Sequence, residues 1–243
     1  MGHDAVSTPS PTLGRDGALP EGEEKHQVVE AMFDRVAPGY ERMNRIISLG
    51  LDKRWRRRAI EALDVASGAR VLDLACGTGD LCRDLAASDC PAFGVDFSAG
   101  MLAAAHVRSP LVRGDAAALP FGDGGFDGVV CGFALRNFVD LGDVFREVAR
   151  VLRPGGRFVA LDAAVPEHLV MRLGNAVWFR GAVPVLGRLL SRDPSAYRYL
   201  PRSTAYLPDG PELVASLERA GFSAVTRETL TGGSVQLLAG ARA

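Results

Sequence analysis

Strand-like and helix-like segments alternate along the sequence between Arg70 and Asp162. The strand-like runs are almost entirely apolar, among them RVLDLA, PAFGVDF and FDGVVCGFA, and segments with helical spacing such as LGDVFREVARVL separate them. Apolar strands joined by helices are typical of a parallel sheet that is covered on both faces. We therefore predict an α/β fold whose ligands bind at the carboxyl ends of the strands.

The segments on either side of this alternation differ from it. Residues 1–24 are rich in Pro, Gly, Ser, Thr and acidic residues, which predicts a disordered tail. Residues 25–67 show helical spacing of apolar side chains and predict two or three helices. The α/β domain then occupies residues 68–243, and its last segment predicts a hairpin of two antiparallel strands turning at Gly232 and Gly233.

Composition excludes several classes of protein. Lys and Arg number 28 against 29 Asp and Glu, so the overall charge gives no case for a nucleic-acid partner. The four cysteines lack C-x-x-C spacing, and the histidines do not cluster, so no metal site is predicted. No apolar run reaches the ~20 residues of a membrane-spanning helix. We therefore expect a cytoplasmic protein, and the inner face of the membrane is the alternative location.

One local basic cluster, DKRWRRR at Asp52 to Arg58, stands out from this balanced composition. It is either a solvated helix face, the ordinary role of such a run, or a peripheral contact with anionic lipid.

Polar or glycine residues follow three successive strands. Gly77 and Gly79 lie where the first strand gives way to a helix, so they form either a plain tight turn or a backbone that approaches a ligand closely. The pattern is not G-x-G-x-x-G, because Cys82 occupies the third position. Asp96 ends the next strand and could accept hydrogen bonds from a ribose or cap a helix. Asp115 ends the third strand, where it could meet an adenine amino group.

These motifs resemble a known family. VLDLACGTGD, GVDFSAGML, GDAAALPFGDGGFDGVV and REVARVLRPGGRFVALD are similar to class I S-adenosylmethionine-dependent methyltransferases. MFDRVAPGYERMNRIISLGLDKRWRR, CGFALRNFVD and YRYLPRSTAYLPDGPEL resemble, more narrowly, the ubiquinone/menaquinone biosynthesis C-methyltransferases. The resemblance implies a Rossmann-like, mostly parallel seven-stranded sheet with an antiparallel C-terminal hairpin, and a substrate lid over residues 166–206.

The resemblance also implies S-adenosylmethionine as the cofactor and assigns the residues that hold it. Methionine, ribose and adenine contacts are expected from Asp73, Gly77, Thr78, Gly79, Asp96, Phe97, Met101, Asp115 and Ala116. The family often has Ser where this chain has Gly132, so we expect Gly132 to contact the cofactor through its backbone alone.

Catalytic and substrate-binding candidates come from later segments. Arg136, Asn137 and Asp162 follow the fourth and fifth strands, and Arg136 could stabilise a phenolate or orient a water. A structural role remains open for both charged residues, as a salt bridge for Arg136 and a turn cap for Asp162. The family often carries Glu where this chain has DAAV after Leu161. Candidate lid contacts to the substrate are Tyr197, Tyr199 and Arg202.

Three functional hypotheses follow. The first is a C-methyltransferase that acts on demethylmenaquinol or a related prenylated quinol. The second is a secondary-metabolism enzyme acting on a soluble aromatic or polyketide compound, and the third is a non-catalytic scaffold that keeps the fold. The expected partner is a small aromatic or quinol substrate, with a peripheral membrane contact and a homodimer left open.

Overall fold

The computed structural model describes residues 19–190 and 196–243. Seven strands form one sheet in the order β3-β2-β1-β4-β5-β7-β6. The strands are β1 (Val71–Leu74), β2 (Ala92–Asp96), β3 (Leu111–Arg113), β4 (Phe126–Gly132), β5 (Leu152–Ala163), β6 (Phe222–Leu230) and β7 (Val235–Arg242). Strands β1 to β5 pair in parallel, whereas β7 runs antiparallel to both β5 and β6. The predicted mixed sheet with its C-terminal hairpin is therefore confirmed.

Helices precede, connect and follow the strands. They are α1 (Gly22–Val36), α2 (Tyr40–Ile47), α3 (Asp52–Leu63), α4 (Asp80–Ala86), α5 (Ala99–Ala103), α6 (Leu141–Val151), α7 (Leu169–Val177), α8 (Val183–Leu190), α9 (Ala196–Ser203) and α10 (Gly210–Arg219). A π-helical turn at Trp178–Ala182 joins α7 to α8. Among the described residues, no helix combines the length and the apolar character needed to cross a membrane.

Helix α1 begins earlier than the sequence suggested. Residues 22–24, assigned to a tail from their composition, form its first turn. Glu23 and Glu24 lie in that turn, where acidic side chains interact favourably with the partial positive charge of a helix N-terminus. The acidic residues that predicted disorder therefore favour a helix start, and residues 1–18 lie outside the described part of the chain.

Both faces of the sheet are buried. Along β5, Phe158 and Ala160 pack into one hydrophobic cluster, while Val159 and Leu161 pack into the cluster on the opposite face. This period of two is the pattern of a strand that is covered by helices on each side. Since the faces are occupied by packing, the carboxyl edge of the strands is where polar chemistry can be placed.

A third, smaller cluster joins the N-terminal helices to residues 166–206, the predicted lid. Val29 of α1 and Met43 of α2 pack with Val183 of α8 and Tyr199 of α9. Segments from the two ends of the sequence thus share one core beside the sheet. This core positions α1, α2 and the lid near the carboxyl ends of the strands.

Candidate functional site

A cavity of about 330 Å³ lies at the carboxyl ends of β1, β2 and β4, and we call it the acidic cavity. Its carboxyl side chains outnumber its two basic ones, Arg56 and His26. The predicted cofactor residues in its lining are Asp73, Gly77, Thr78, Asp96, Phe97, Met101, Asp115, Ala116 and Gly132. Asn137, predicted to be catalytic, lines it as well. An acidic lining favours a ligand with net positive charge.

The turn after β1 exposes backbone to this cavity. Ala75, Gly77 and Gly79 all have positive φ, at 56°, 56° and 85°. A Cβ on Gly77 would lie 3.1 Å from the Met101 methyl group, closer than side chains normally pack. Glycine therefore leaves room for the Met101 side chain, and its positive φ suits both a tight turn and a backbone that approaches a ligand closely. Gly79 is the N-cap of α4 and is not part of the lining.

Asp73 lies beneath this turn and is almost completely buried. Its Oδ2 accepts a hydrogen bond from the Cys82 backbone N–H at 3.0 Å, while its Oδ1 has no hydrogen-bond partner in the protein. Burial, with the nearby charges of Asp96 and Asp80, raises the pKa of Asp73 to about 7. An orphan carboxylate oxygen in a cavity wall is costly unless a ligand supplies a donor. The ammonium group of a bound amino acid moiety fits this requirement.

Asp96 faces the same cavity and also holds its walls. Its Oδ2 accepts from the Gly77 backbone N–H and its Oδ1 from the Ser98 backbone N–H, each at 2.8 Å. Burial raises the pKa of Asp96 to about 6. The cap of α5 is the Ser98 hydroxyl, which accepts from the Met101 N–H, so Asp96 is not the helix cap that the sequence allowed. Each carboxylate oxygen retains a lone pair for a hydroxyl of a ligand.

Helix α1 covers this cavity, which sequence reasoning missed. Gly22, Glu23, His26 and Phe33 line it, and the His26 ring meets the edge of Phe97 with centroids 5.3 Å apart. Asp34 fixes the helix there, because its carboxylate accepts hydrogen bonds from the Ser98 hydroxyl and the Gly100 N–H. No local sequence pattern marks these contacts, since they join segments more than 60 residues apart.

Arg136 and Asp162 form a buried ion pair at the ends of β4 and β5. The Arg136 guanidinium and backbone N–H both donate to the carboxylate of Asp162, which also accepts from the Ala163 N–H. Asp162 is completely buried. The adjacent Asn137 accepts a hydrogen bond from the Tyr199 hydroxyl at 3.3 Å. Three predicted catalytic residues and one lid tyrosine therefore form a single cluster.

A second cavity, of about 600 Å³, is lined in large part by residues of the predicted lid, and we call it the lid cavity. Its walls are mainly apolar and include Trp55, Trp178 and Phe179, while Arg136 and Arg172 are its cationic residues. Tyr40, Asn44 and Phe133 line both cavities, so the two adjoin at these side chains. None of the three was predicted as a site residue.

Phe133 has an unusual backbone at this junction. Its φ is 59°, a left-handed conformation that a bulky side chain rarely adopts. Its ring packs against Trp55 with centroids 5.9 Å apart. Strain of this kind persists only where the surroundings impose it, and it is often found at functional sites.

The remaining predicted residues are placed differently. Arg202 is exposed on α9 and lines neither cavity. Tyr199 is buried, and burial raises the pKa of its hydroxyl well above the usual value, so it is not a base at neutral pH. The side chain of Tyr197 lies outside the described part of the chain. In the described ranges, no cluster of His, Cys, Asp or Glu could hold a metal ion.

The basic cluster on α3 is mostly engaged within the protein. Arg56 is buried and pairs with Asp52, Asp80 and Asp84 at 2.6 to 3.2 Å. Arg57 pairs with Glu61, and Arg58 with Glu228. The alternatives of a solvated face or a lipid contact are therefore wrong for Arg56, because the helix turns it inward onto α4.

The sheet order, with its antiparallel β7, is the fold of class I S-adenosylmethionine-dependent methyltransferases. The chain belongs to the ubiE/COQ5 methyltransferase family, whose model matches residues 21–242. It is 41% identical over 229 residues to a demethylmenaquinone methyltransferase from Roseiflexus sp. (strain RS-1), with 91% of this chain and 96% of the relative covered.

Solved structures share the fold. An S-adenosylmethionine-dependent methyltransferase from Thermotoga maritima has a TM-score of 0.64 at 18% identity, with 88% of this chain and 99% of that chain covered. Phosphoethanolamine N-methyltransferase 2 from Haemonchus contortus, solved with S-adenosylmethionine, has a TM-score of 0.59 at 17% identity, with 78% of this chain and 52% of that chain covered.

Proposed function

We propose that this enzyme transfers a methyl group from S-adenosylmethionine to a ring carbon of demethylmenaquinol or a closely related prenylated quinol. The observation that carries the proposal is the pairing of an acidic cavity with a larger apolar cavity that adjoins it at Phe133. The substrate is inferred from the name of the Roseiflexus relative.

The acidic cavity suits the cofactor, whose sulfonium and ammonium groups outweigh its one carboxylate in charge. We assign the unpartnered Oδ1 of Asp73 to the ammonium group and Asp96 to the ribose hydroxyls. Asp115 and Ala116 would border the adenine, together with Phe97 and Met101. When bound, S-adenosylmethionine supplies an electrophilic methyl group, and the protein supplies alignment and exclusion of water.

Arg136 is the residue assigned to the quinol oxygen. A ring carbon becomes nucleophilic when the neighbouring hydroxyl loses its proton, so an oxidised quinone is not a substrate. Arg136 lines the lid cavity, and its buried guanidinium would stabilise the phenolate charge. It does not act as the base, because arginine stays protonated. Asp162 holds the guanidinium in position and is therefore a positioning residue.

The walls of the lid cavity are mainly apolar, as binding of a prenylated ring requires. Trp55, Trp178, Phe179 and Leu200 provide apolar walls on several sides. Hydrocarbon binds there because its apolar surface leaves water. A substrate of this kind resides in a bilayer, so we further propose that the enzyme works at the cytoplasmic face of the membrane.

The test is methyl transfer from labelled S-adenosylmethionine to reduced demethylmenaquinone, with oxidised demethylmenaquinone and a prenyl-free naphthoquinol as matched substrates. We expect transfer to the reduced prenylated compound, weaker transfer to the prenyl-free one and none to the quinone. Transfer to neither quinol, with cofactor binding intact, would contradict the proposal and favour a soluble aromatic or polyketide substrate.

A variant pair tests the role of Arg136. Arg136→Ala should lower turnover while cofactor affinity, measured by calorimetry, stays close to that of the unchanged enzyme. Arg54→Ala, on the exposed part of α3, is the matched control and should change neither quantity. Normal turnover in Arg136→Ala would leave this residue a structural role only.

A further inference from the structure

Helix α7 presents an apolar surface to solvent. None of its nine residues is buried, although the helix is mostly aliphatic. Val170 is 80% exposed, Val177 72% and Leu169 61%, and Val165 just before the helix is exposed too. Helices on a protein surface ordinarily bury their apolar stripe. A contiguous exposed patch of this kind marks an interaction surface, and we call it the α7 face.

Part of the same helix is also a wall of the lid cavity. Arg172, Leu173, Gly174, Asn175 and Ala176 all line that cavity. Leu173 is also 59% exposed to solvent, so it lies between the cavity and the exterior. The lid cavity and the α7 face therefore share this helix.

Charge indicates what that covering is. Between positions 168 and 190 the sequence has Arg172, Arg180 and Arg188 and no acidic residue. Arg172 and Arg188 are exposed. Among the described residues, Glu167, between Val165 and the helix, is the one exposed acidic residue at the edge of the patch, and the helix itself adds only positive charge. An aliphatic helix with exposed arginines complements the anionic surface and acyl chains of a phospholipid bilayer. A second copy fits less well, because a two-fold interface brings each patch against itself and would oppose arginine to arginine.

We propose that the α7 face docks on anionic phospholipid bilayers and that the prenyl tail of the substrate enters the lid cavity beside this helix. The inference rests on the proposed function, since a prenylated quinol is what brings the enzyme to a bilayer. A nine-residue helix is too short to span a membrane, so it lies in the interface with Val170 and Val177 among the acyl chains. The tail then passes from lipid to protein without crossing water.

Vesicle binding tests the surface directly. The purified enzyme is mixed with vesicles of phosphatidylcholine alone or of phosphatidylcholine with phosphatidylglycerol, and the bound fraction is measured by sedimentation. We expect binding to the vesicles that contain phosphatidylglycerol. Val170→Glu should weaken this binding by about tenfold or more, because it places a carboxylate against lipid. Val112→Glu, at an exposed valine of β3, is the matched control and should bind as the unchanged enzyme does.

Two results would overturn the proposal. One is vesicle binding that is absent, or equal in Val170→Glu and in the unchanged enzyme. The other is a dimer of the unchanged enzyme that Val170→Glu splits into monomers, because the face would then belong to a second copy. Val170 and Val112 are exposed and line neither the acidic cavity nor the lid cavity, so both variants should fold and methylate a prenyl-free quinol normally.

The activity assay separates this inference from the proposed function. If α7 docks on the bilayer, Val170→Glu should lose transfer to demethylmenaquinol held in vesicles while it keeps transfer to the prenyl-free quinol. Methyl transfer to both quinols with no effect of Val170→Glu would refute the docking surface alone. Vesicle binding without transfer to any quinol would refute the proposed function alone.

Discussion

Replacing Asp73 with Asn distinguishes what the buried charge costs in stability from what it contributes to cofactor binding. The side chain is almost completely buried with one oxygen unpartnered, and its pKa is raised to about 7, chiefly by burial. Asn has nearly the same shape and can still accept from the Cys82 N–H through its carbonyl oxygen. The substitution therefore removes the ionisation with little change in packing.

The direction of the pH dependence follows from the raised pKa. An unfolded aspartate loses its proton near pH 4, whereas folded Asp73 keeps it up to about pH 7, so the folded state binds more protons between these values. The stability contributed by Asp73 is therefore complete below about pH 4 and is lost as the pH rises through about 7. Three pKa units correspond to about 4 kcal/mol, of which about 3 kcal/mol should be lost between about pH 5 and pH 8.

The assay is urea unfolding of the cofactor-free protein across that pH range. Asp73→Asn should gain stability over the unchanged protein as the pH rises, by about 3 kcal/mol in total. The raised pKa of Asp96, about 6, adds a second pH-dependent contribution. The Asp73 and Asp96 charges interact, so the difference between the two proteins reports Asp73 together with its coupling to Asp96. If Asp73→Asn loses as much free energy of unfolding at high pH as the unchanged protein does, the assignment of Asp73 as a buried carboxylate without a partner is wrong.

Cofactor binding should respond in the opposite sense. The ammonium group needs the ionised carboxylate, so affinity in the unchanged enzyme should rise with pH up to about 7, by up to about tenfold per pH unit. Asp73→Asn should bind S-adenosylmethionine more weakly and lose this slope. Calorimetric titrations that show the same slope in both proteins would exclude Asp73 as the ammonium partner.

Three further substitutions test packing around the junction of the two cavities. Asp162→Ala should lower the free energy of unfolding, measured in urea, by about 3 to 5 kcal/mol, because it leaves Arg136 buried without its carboxylate. Adding Arg136→Met should recover part of this lost free energy. Gly132→Ser should lower the free energy of unfolding by about 1 to 3 kcal/mol, since its Cβ would lie 2.9 Å from a methyl of Leu81. This destabilisation should vanish in a Leu81→Ala background. Phe133→Gly should unfold at higher urea than Phe133→Ala, by about 1 kcal/mol in free energy, because only glycine adopts a φ of 59° without strain.

The sheet was predictable because its signals are local. The central strands β1, β2 and β4 are short, mostly apolar runs. The second half of β5 shows why: Phe158 and Val159 face opposite sides of the sheet, so consecutive residues are all buried. The hairpin could also be predicted, since Gly232 and Gly233 both take positive φ at the turn. The start of α1 was misjudged, because composition alone does not distinguish an acidic tail from an acidic first helical turn.

Site residues could be predicted only where they follow from the rule that ligands of a parallel sheet bind at the carboxyl ends of its strands. Asp73 and Asp96 lie on neighbouring parallel strands, and the ends of such strands converge at one edge. The inward position of Arg56 carried a partial signal, since Asp52 lies four residues before it and Asp80 and Asp84 are four apart on the facing helix. Tyr40 and Asn44 carried no sequence signal, because their place in the site depends on how α2 packs against the lid.

The two cavities impose opposite electrostatic demands, and their junction is arranged to keep these apart. Carboxylates surround the acidic cavity, whereas Arg136 and Arg172 are the charges of the lid cavity. A cationic cofactor is therefore favoured on one side and an anionic phenolate on the other, so each ligand is attracted to its own cavity. Methyl transfer nevertheless needs the two ligands in contact, and Phe133 lies where they would meet. An apolar ring there adds no competing charge and excludes water, and the left-handed backbone that holds it costs about 1 to 3 kcal/mol, which the surrounding fold must offset.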